Sequence, residues 1–145
     1  MSLFDGGTCV TAILISIKPK YIEKILSGEK TYEYRRKMAR KKPSIMIIYC
    51  TAPVSKVIAY TKIISQLSAS PDALWNMTKS GAGISYDEYM RYFSNSKIAY
   101  AYEIGEVIKF NCPRELLDYG IDHAPQSFIY INTDHEICVP NCDRL

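Results

Sequence analysis

The stretch that decides the fold is residues 13–36, which read ILISIKPKYIEKILSGEKTYEYRR. It begins with a short apolar strand, and Pro19 then suits the first turn of a helix, where its missing N–H has no partner to lose. Gly28 supplies the helix stop. The polar residues that follow alternate as in a strand, which places Glu33 and Arg35 on one face. We therefore predict a strand, a helix and a second strand that bring charged side chains to one place.

Short apolar runs rich in β-branched residues predict most of the other strands, and two capped segments predict helices. The predicted strands are residues 12–17, 31–36, 45–50, 57–64, 98–110 and 127–131. Further helices are predicted for residues 72–79 and 85–93, with a helical turn at 113–117. This order predicts an α+β, β-rich fold, a small mixed β-barrel with one early helix and a two-helix insertion.

The length of 145 residues predicts a single domain, which we assign to residues 12–132 between a lead-in at 1–11 and a tail at 133–145. The formal net charge is only +3, but residues 18–42 hold ten basic and three acidic side chains. A basic face of this kind fits a phosphate-bearing partner. The alternative is a solvated run of charge in a loop.

The sequence carries no sign of a targeting or membrane segment, since its first apolar stretch is short and no run approaches about 18 apolar residues. Five cysteines, odd in number and widely spread, predict free thiols and a cytoplasmic location. His135, Cys138 and Cys142 are candidate zinc ligands, but they lack the C-x-x-C spacing of common zinc sites. We therefore predict no metal and no cofactor.

The two helices of the predicted insertion are joined by residues 80–84, so a helix-turn-helix motif is an alternative reading of this segment. The second helix carries Asp87 and Glu88 near its start. A recognition helix normally presents basic or amide side chains there. A helical insertion is the favoured interpretation.

The order of a strand, a Lys-Pro helix and a G-x-K-x-x-E-x-R strand resembles the ASCH family of the PUA-like superfamily. Gly28, Lys30, Glu33 and Arg35 carry the motif, and the similarity extends over about residues 12–132. The resemblance implies a PUA-like β-barrel with a cleft beside the first helix, proposed in the family to bind RNA or a modified nucleotide.

The residue chemistry is compatible with such a cleft. The helix start at Pro19 exposes backbone N–H groups and the positive end of the helix dipole, and Lys18 adds a full charge. Arg35 can clamp a phosphate or a base edge, and Glu33 can hold Arg35 or accept from an exocyclic amine. The candidate nucleic-acid-binding residues are Lys18, Lys30, Glu33, Arg35, Arg36, Lys37, Arg40, Lys41, Lys42, Gln126 and Ser127. The alternative is an ion-pair network that only closes one end of the barrel.

An enzymatic alternative comes from the same resemblance. One branch of the family removes the acyl group of N4-acetylcytidine with a G-x-K-T-x-T-x-R motif, in which the second Thr is the nucleophile and the Lys activates it. This chain has Glu33 at the position of that nucleophile, with Thr31 on the same strand face as a weaker substitute. If the protein is an enzyme, the candidate catalytic residues are Lys30, Thr31, Glu33 and Glu88.

A third possibility is a coregulator module that binds another protein through its helical insertion. Leu74, Trp75, Tyr89 and Tyr92 would then form an apolar patch. Such aromatic residues more often pack an insertion onto its own domain.

Overall fold

Six strands form one mixed sheet in the computed structural model, which describes residues 10–133. The elements are β1 (Val10–Ile17), α1 (Pro19–Ser27), β2 (Tyr32–Arg35), β3 (Ile45–Cys50), β4 (Lys56–Ala69), α2 (Pro71–Thr78), α3 (Tyr86–Tyr92), β5 (Ala99–Arg114) and β6 (Phe128–Thr133), with short 3-10 helices at Lys79–Gly81 and Leu116–Tyr119. The strand order is β2-β5-β4-β3-β1-β6, and the sheet curls into a half-barrel whose edges are β2 and β6. The predicted α+β PUA-like fold with an early helix and a two-helix insertion is confirmed.

The strands β1 and β3 pair in parallel and form the most apolar part of the sheet. Residues 12–15 of β1 and all of β3 are buried, as is typical of parallel strands that are covered on both faces. The helix α1 follows β1 directly, and its Ile22 and Ile25 pack into the same core. Pro19 occupies its first turn, and Gly28 ends it in the left-handed conformation at φ 84°. The local signals in the sequence therefore predict this helix correctly.

The two long strands exceed their predicted bounds. β4 continues to Ala69, although the prediction ended it at residue 64, and β5 continues through Pro113 to Arg114, where a helical turn was predicted. The 3-10 helix begins only at Leu116. Each strand extends because it pairs with the other beyond the apolar core, with register shifts that accommodate the strongly curved sheet.

The insertion packs onto β2 and β5 through a separate aromatic core. The Tyr34 ring of β2 meets Tyr89 of α3 edge-on at 4.9 Å between ring centroids, and Phe93 packs beside both. Leu74 and Tyr89 are fully buried, so these two residues face their own domain and offer no surface to a partner. The packing interpretation of these apolar residues is thereby supported.

The cysteine prediction is wrong at Cys112, which is disulfide-bonded, while Cys50 is free and buried. Spacing along a chain does not show which cysteines the fold brings together, and with Cys112 in a disulfide the cysteines no longer support the prediction of a cytoplasmic location. The candidate zinc ligands lie outside the described residues. Within residues 10–133, no three His, Cys, Asp or Glu side chains group closely enough to hold a metal ion. Over the same residues, no helix has the length and apolar character needed to cross a membrane.

The linker between α2 and α3 is fixed against the start of β2. The Lys30 ammonium donates to the carbonyl of Ala82 at 2.8 Å, and the Thr31 N–H donates to the carbonyl of Gly81 at 2.9 Å. Gly83 adopts φ 67°, and a Cβ built there would lie 2.5 Å from Cβ of Lys30. The linker can therefore approach β2 this closely only with glycine at position 83.

We predict that Gly83→Ala destabilises the protein more than Gly28→Ala does. Both glycines have positive φ, but no atom lies within 4 Å of a Cβ built at Gly28, so that variant carries the backbone strain alone. The additional clash at position 83 should lower the free energy of unfolding by about 1–3 kcal/mol more. Urea denaturation of the two variants measures the difference, and equal losses would contradict the close packing of the linker.

Candidate functional site

One cavity of about 500 Å³ lies where α1, β2, α3 and the segment before β6 meet. This volume is in the range of small-molecule sites, about 300–1,000 Å³. Its lining comprises Ser16, Ile17, Lys18, Tyr21, Lys30, Glu33, Tyr34, Arg35, Arg36, Lys37, Thr51, Ile84, Glu88, Tyr92, Gln126 and Ser127. We refer to it as the cleft.

A buried ion pair forms one wall of the cleft. Arg35 donates through Nη2 and Nε to the same oxygen of Glu33, Oε2, at 2.8 and 3.0 Å. The two side chains are only 12% and 8% exposed. Because they are two residues apart on β2, strand alternation places them on one face.

The Arg35 guanidinium also spans the open side of the half-barrel. Its Nη2 donates to the carbonyl of Ser16 in β1 at 2.8 Å, and its Nη1 donates to Oγ of Ser127 at 3.3 Å, just before β6. The Ser16 hydroxyl in turn donates to the carbonyl of Pro125 at 2.7 Å. One side chain therefore connects the edge strand β2 to the opposite end of the sheet.

Lys30 lies at the inner end of the cleft and is only 3% exposed. Its ammonium donates to Ala82 and lies 4.7 Å from the centre of the Tyr34 ring. Burial lowers the pKa of Lys30, and the nearby charge of Glu33 opposes this effect. Burial therefore makes the neutral, proton-accepting form of Lys30 easier to reach than it is for an ordinary lysine.

Glu88 reaches the cleft from α3 and connects that helix to α1. It accepts hydrogen bonds from the Tyr21 hydroxyl and, at 3.3 Å, from the Lys20 ammonium. The hydrogen bond from Tyr21 lowers the pKa of Glu88, and burial raises the pKa of Tyr21. The carboxylate thus holds the insertion closed over the first turn of α1.

The rim of the cleft is basic and partly aromatic. The Arg36 guanidinium stacks on the Tyr92 ring at 4.3 Å and donates through Nε to the Tyr92 carbonyl at 2.9 Å. Lys18, at the N-terminal cap of α1, and Lys37 are exposed beside it. The arrangement offers positive charge and a flat ring surface at the mouth.

Eight of the eleven predicted nucleic-acid-binding residues line the cleft. Three do not: Arg40, Lys41 and Lys42 lie further along the loop after β2, where the Lys41 ammonium covers the Tyr130 ring and Lys42 borders a second, smaller groove. These three extend a basic surface away from the cleft.

Of the four candidate catalytic residues, Thr31 is the one that the structure places elsewhere. A Cβ built at Gly81 would lie 2.1 Å from its Oγ1, so the hydroxyl packs against the linker of the insertion. Lys30, Glu33 and Glu88 all line the cleft. The structure therefore gives Thr31 no support as a nucleophile.

Sequence reasoning missed Tyr21 and Tyr92 as cleft residues. Tyr21 lies in the first turn of α1, close to the predicted anion site, and this position is the signal that could have identified it as a cleft residue. Tyr92 was expected to pack within the insertion or to face a partner. Its place at the rim depends on how the insertion folds back, for which the sequence contains no local signal.

Comparison with known protein families decides the assignment. The ASCH domain family matches residues 15–114, which is more than two-thirds of the chain. The chain belongs to the ASCH domain family. The G-x-K-x-x-E-x-R resemblance identified it correctly, and the wall of the cleft is built from that motif.

Individual ASCH relatives agree with this assignment. The ASCH domain-containing ribonuclease of Zymomonas mobilis is 32% identical over 90 residues, which are 61% of this chain and 61% of that protein. A crystal structure of the ASCH protein from Zymomonas mobilis superposes with a TM-score of 0.74 at 26% identity, covering 83% of this chain and 87% of that one. A tyrosine-to-phenylalanine mutant of it gives a TM-score of 0.75.

A second relative is much longer than the part of it that matches this chain. The ATP synthase subunit alpha of Ureaplasma parvum is 27% identical over 120 residues, which are 82% of this chain and 15% of that protein. The chain thus spans less than two-thirds of the length of either curated relative.

We predict that Arg35→Ala lowers the free energy of unfolding by about 3 kcal/mol or more, because it leaves the buried Glu33 carboxylate without its cation. Arg36→Ala is the matched control, since it removes an exposed guanidinium from the next residue and should cost about 1 kcal/mol or less. Chemical denaturation measures both values. A cost for Arg35→Ala no larger than that for Arg36→Ala would contradict the bridging role.

Proposed function

We propose that the protein binds RNA or a modified nucleotide in the cleft. The observation that carries this proposal is the cluster of Lys18, Arg36 and Lys37 around the mouth of a cavity of suitable size. Positive side chains at a rim attract phosphates, and a cavity behind them admits the nucleoside. The stacked Arg36–Tyr92 pair adds a surface on which a base can stack.

The remaining basic residues extend this surface. Arg40, Lys41 and Lys42 follow the rim along the loop, and we propose that they contact the RNA backbone beyond the nucleotide in the cleft. The name of the Zymomonas mobilis relative, an ASCH domain-containing ribonuclease, supports RNA as the partner. The cleft is the primary site in this proposal, and the loop is an extension.

Two triple variants of equal charge separate the cleft from simple electrostatic attraction. The rim variant changes Lys18, Arg36 and Lys37 to Ala, and the loop variant changes Arg40, Lys41 and Lys42 to Ala. We predict that the rim variant loses the larger part of the affinity for a single-stranded RNA and that its salt slope falls by about 0.7 per lost phosphate contact. Fluorescence anisotropy over a salt series measures both quantities. A loop variant that loses as much affinity as the rim variant would refute the cleft as the primary site.

Cleavage of the bound RNA is a second candidate, favoured by the ribonuclease name of the relative together with the buried amine in the cleft. Burial lowers the pKa of Lys30, so its neutral form can accept a proton from a ribose hydroxyl more readily than that of an ordinary lysine. The acyl-removing alternative has less support, because Glu33 occupies the nucleophile position and Thr31 packs against Gly81.

We predict that any RNA cleavage with Lys30 as the base becomes faster as the pH rises, since only the deprotonated amine accepts a proton. Lys30→Met should abolish cleavage even at protein concentrations that saturate the RNA, where any weaker binding by this variant does not enter the result. Gel analysis of end-labelled RNA over about pH 6 to 9 measures the rate. Intact RNA with the unaltered protein would remove this candidate without affecting the binding proposal.

A further inference from the structure

The Glu33 carboxylate carries an acceptor that the fold leaves open. Both hydrogen bonds from Arg35 end on Oε2, and within residues 10–133 no group donates to Oε1. The residue is only 6% exposed and lines the cleft. Oε1 is not fully buried, so a ligand in the cavity can reach it. A buried carboxylate oxygen in this position is a site for an N–H or O–H donor.

A donor faces the same inner space. The Lys30 ammonium has three N–H groups, one of which is held by the Ala82 carbonyl. Its charge interacts with that of Glu33, yet Glu33 forms its ion pair with Arg35 and not with Lys30. The cleft therefore presents an acceptor on Glu33 and a donor on Lys30 that no ion pair joins to each other.

The charges of the cleft give a ligand one orientation. A phosphate near Glu33 would meet an anionic oxygen, and the Arg35 guanidinium there is already engaged by Glu33, Ser16 and Ser127. The rim instead carries the exposed cations. Phosphate at the rim and a neutral group with an N–H inside is the arrangement that avoids repulsion.

The Watson–Crick edge of a nucleobase is such a group, because every base has an N–H beside a ring nitrogen or a carbonyl acceptor on that edge. We propose that the cleft takes one unpaired nucleobase, edge first, with a base N–H donated to Oε1 of Glu33. The inference rests on the proposed function and specifies which part of the nucleotide the protein recognises. A base in a duplex has this edge engaged, so the ligand is single-stranded or has an extruded base.

Chemical changes to the RNA test this without altering the protein. The probes are pentamers of uridine, cytidine and adenosine, each compared with its N3-methyluridine, N4,N4-dimethylcytidine or N6,N6-dimethyladenosine analogue, which lacks the N–H donors of that edge. We predict that the pentamer that binds best loses affinity about tenfold or more on methylation. The same five nucleotides enclosed in a longer, stable RNA duplex should lose at least as much.

Variants then connect the effect to Glu33. In Glu33→Gln the carboxamide oxygen is needed to accept from Arg35, so its NH2 group, a donor, faces the cavity. This variant should bind the best pentamer as weakly as its methylated form, and the effect of methylation should disappear. Glu29→Gln is the matched control, because Glu29 is an exposed carboxylate outside the cleft, and it should retain the full effect.

The possible results separate the two proposals. Equal affinity for unmodified and methylated pentamers, or equal affinity for single-stranded and duplex forms, overturns the base-first inference and leaves RNA binding in place. If no pentamer binds even at about 50 mM salt, where electrostatic binding is strong, RNA binding itself fails and the inference fails with it.

Discussion

The Arg35 guanidinium is the interaction on which the rest of the site depends. It pairs with Glu33 on its own strand and donates to Ser16 and Ser127 at the other end of the sheet. A buried ion pair of this kind is costly to desolvate and is stable only when hydrogen bonds satisfy the charged groups. The bonds from Arg35 to Ser16 and Ser127 meet this need for the guanidinium, and the same side chain both closes the half-barrel and forms the wall of the cleft.

The helical insertion completes the cleft through contacts with backbone carbonyls. Lys30 and Lys24 donate to Ala82 and Gly83, so two lysines hold the linker in place. Glu88 fixes the following helix to the first turn of α1. The same lysine that lies at the inner end of the cleft thus also positions the segment that covers it, which couples the stability of the insertion to the chemistry of the site.

Much of this site is predictable from the sequence because its signals are local. Proline and glycine define the ends of α1, and strand alternation places Glu33 and Arg35 on one face. The sequence does not reveal contacts that depend on the return of the insertion. Thr31 is turned toward Gly81 and Tyr92 is placed at the rim by a linker whose path has no sequence signature. The bond state of Cys112 likewise depends on long-range packing.

The distribution of basic residues along the sequence also predicts the site only in part. The charge of residues 18–42 correctly indicates a basic face, but charge alone does not separate the residues of the cleft from Arg40 to Lys42 beyond it. That separation follows from the path of the chain after β2, which still lines the cleft at Arg36 and Lys37 and has left it by Arg40.

An NMR titration with a single-stranded RNA pentamer tests the central claim most directly. If the nucleotide occupies the cleft bounded by the Glu33–Arg35 pair, the Nε–Hε signal of Arg35 and the backbone amides of residues 16–18, 33–37 and 126–127 should shift saturably and together. Shifts confined to residues 40–42, with the signal of Arg35 unchanged at saturation, would contradict the claim.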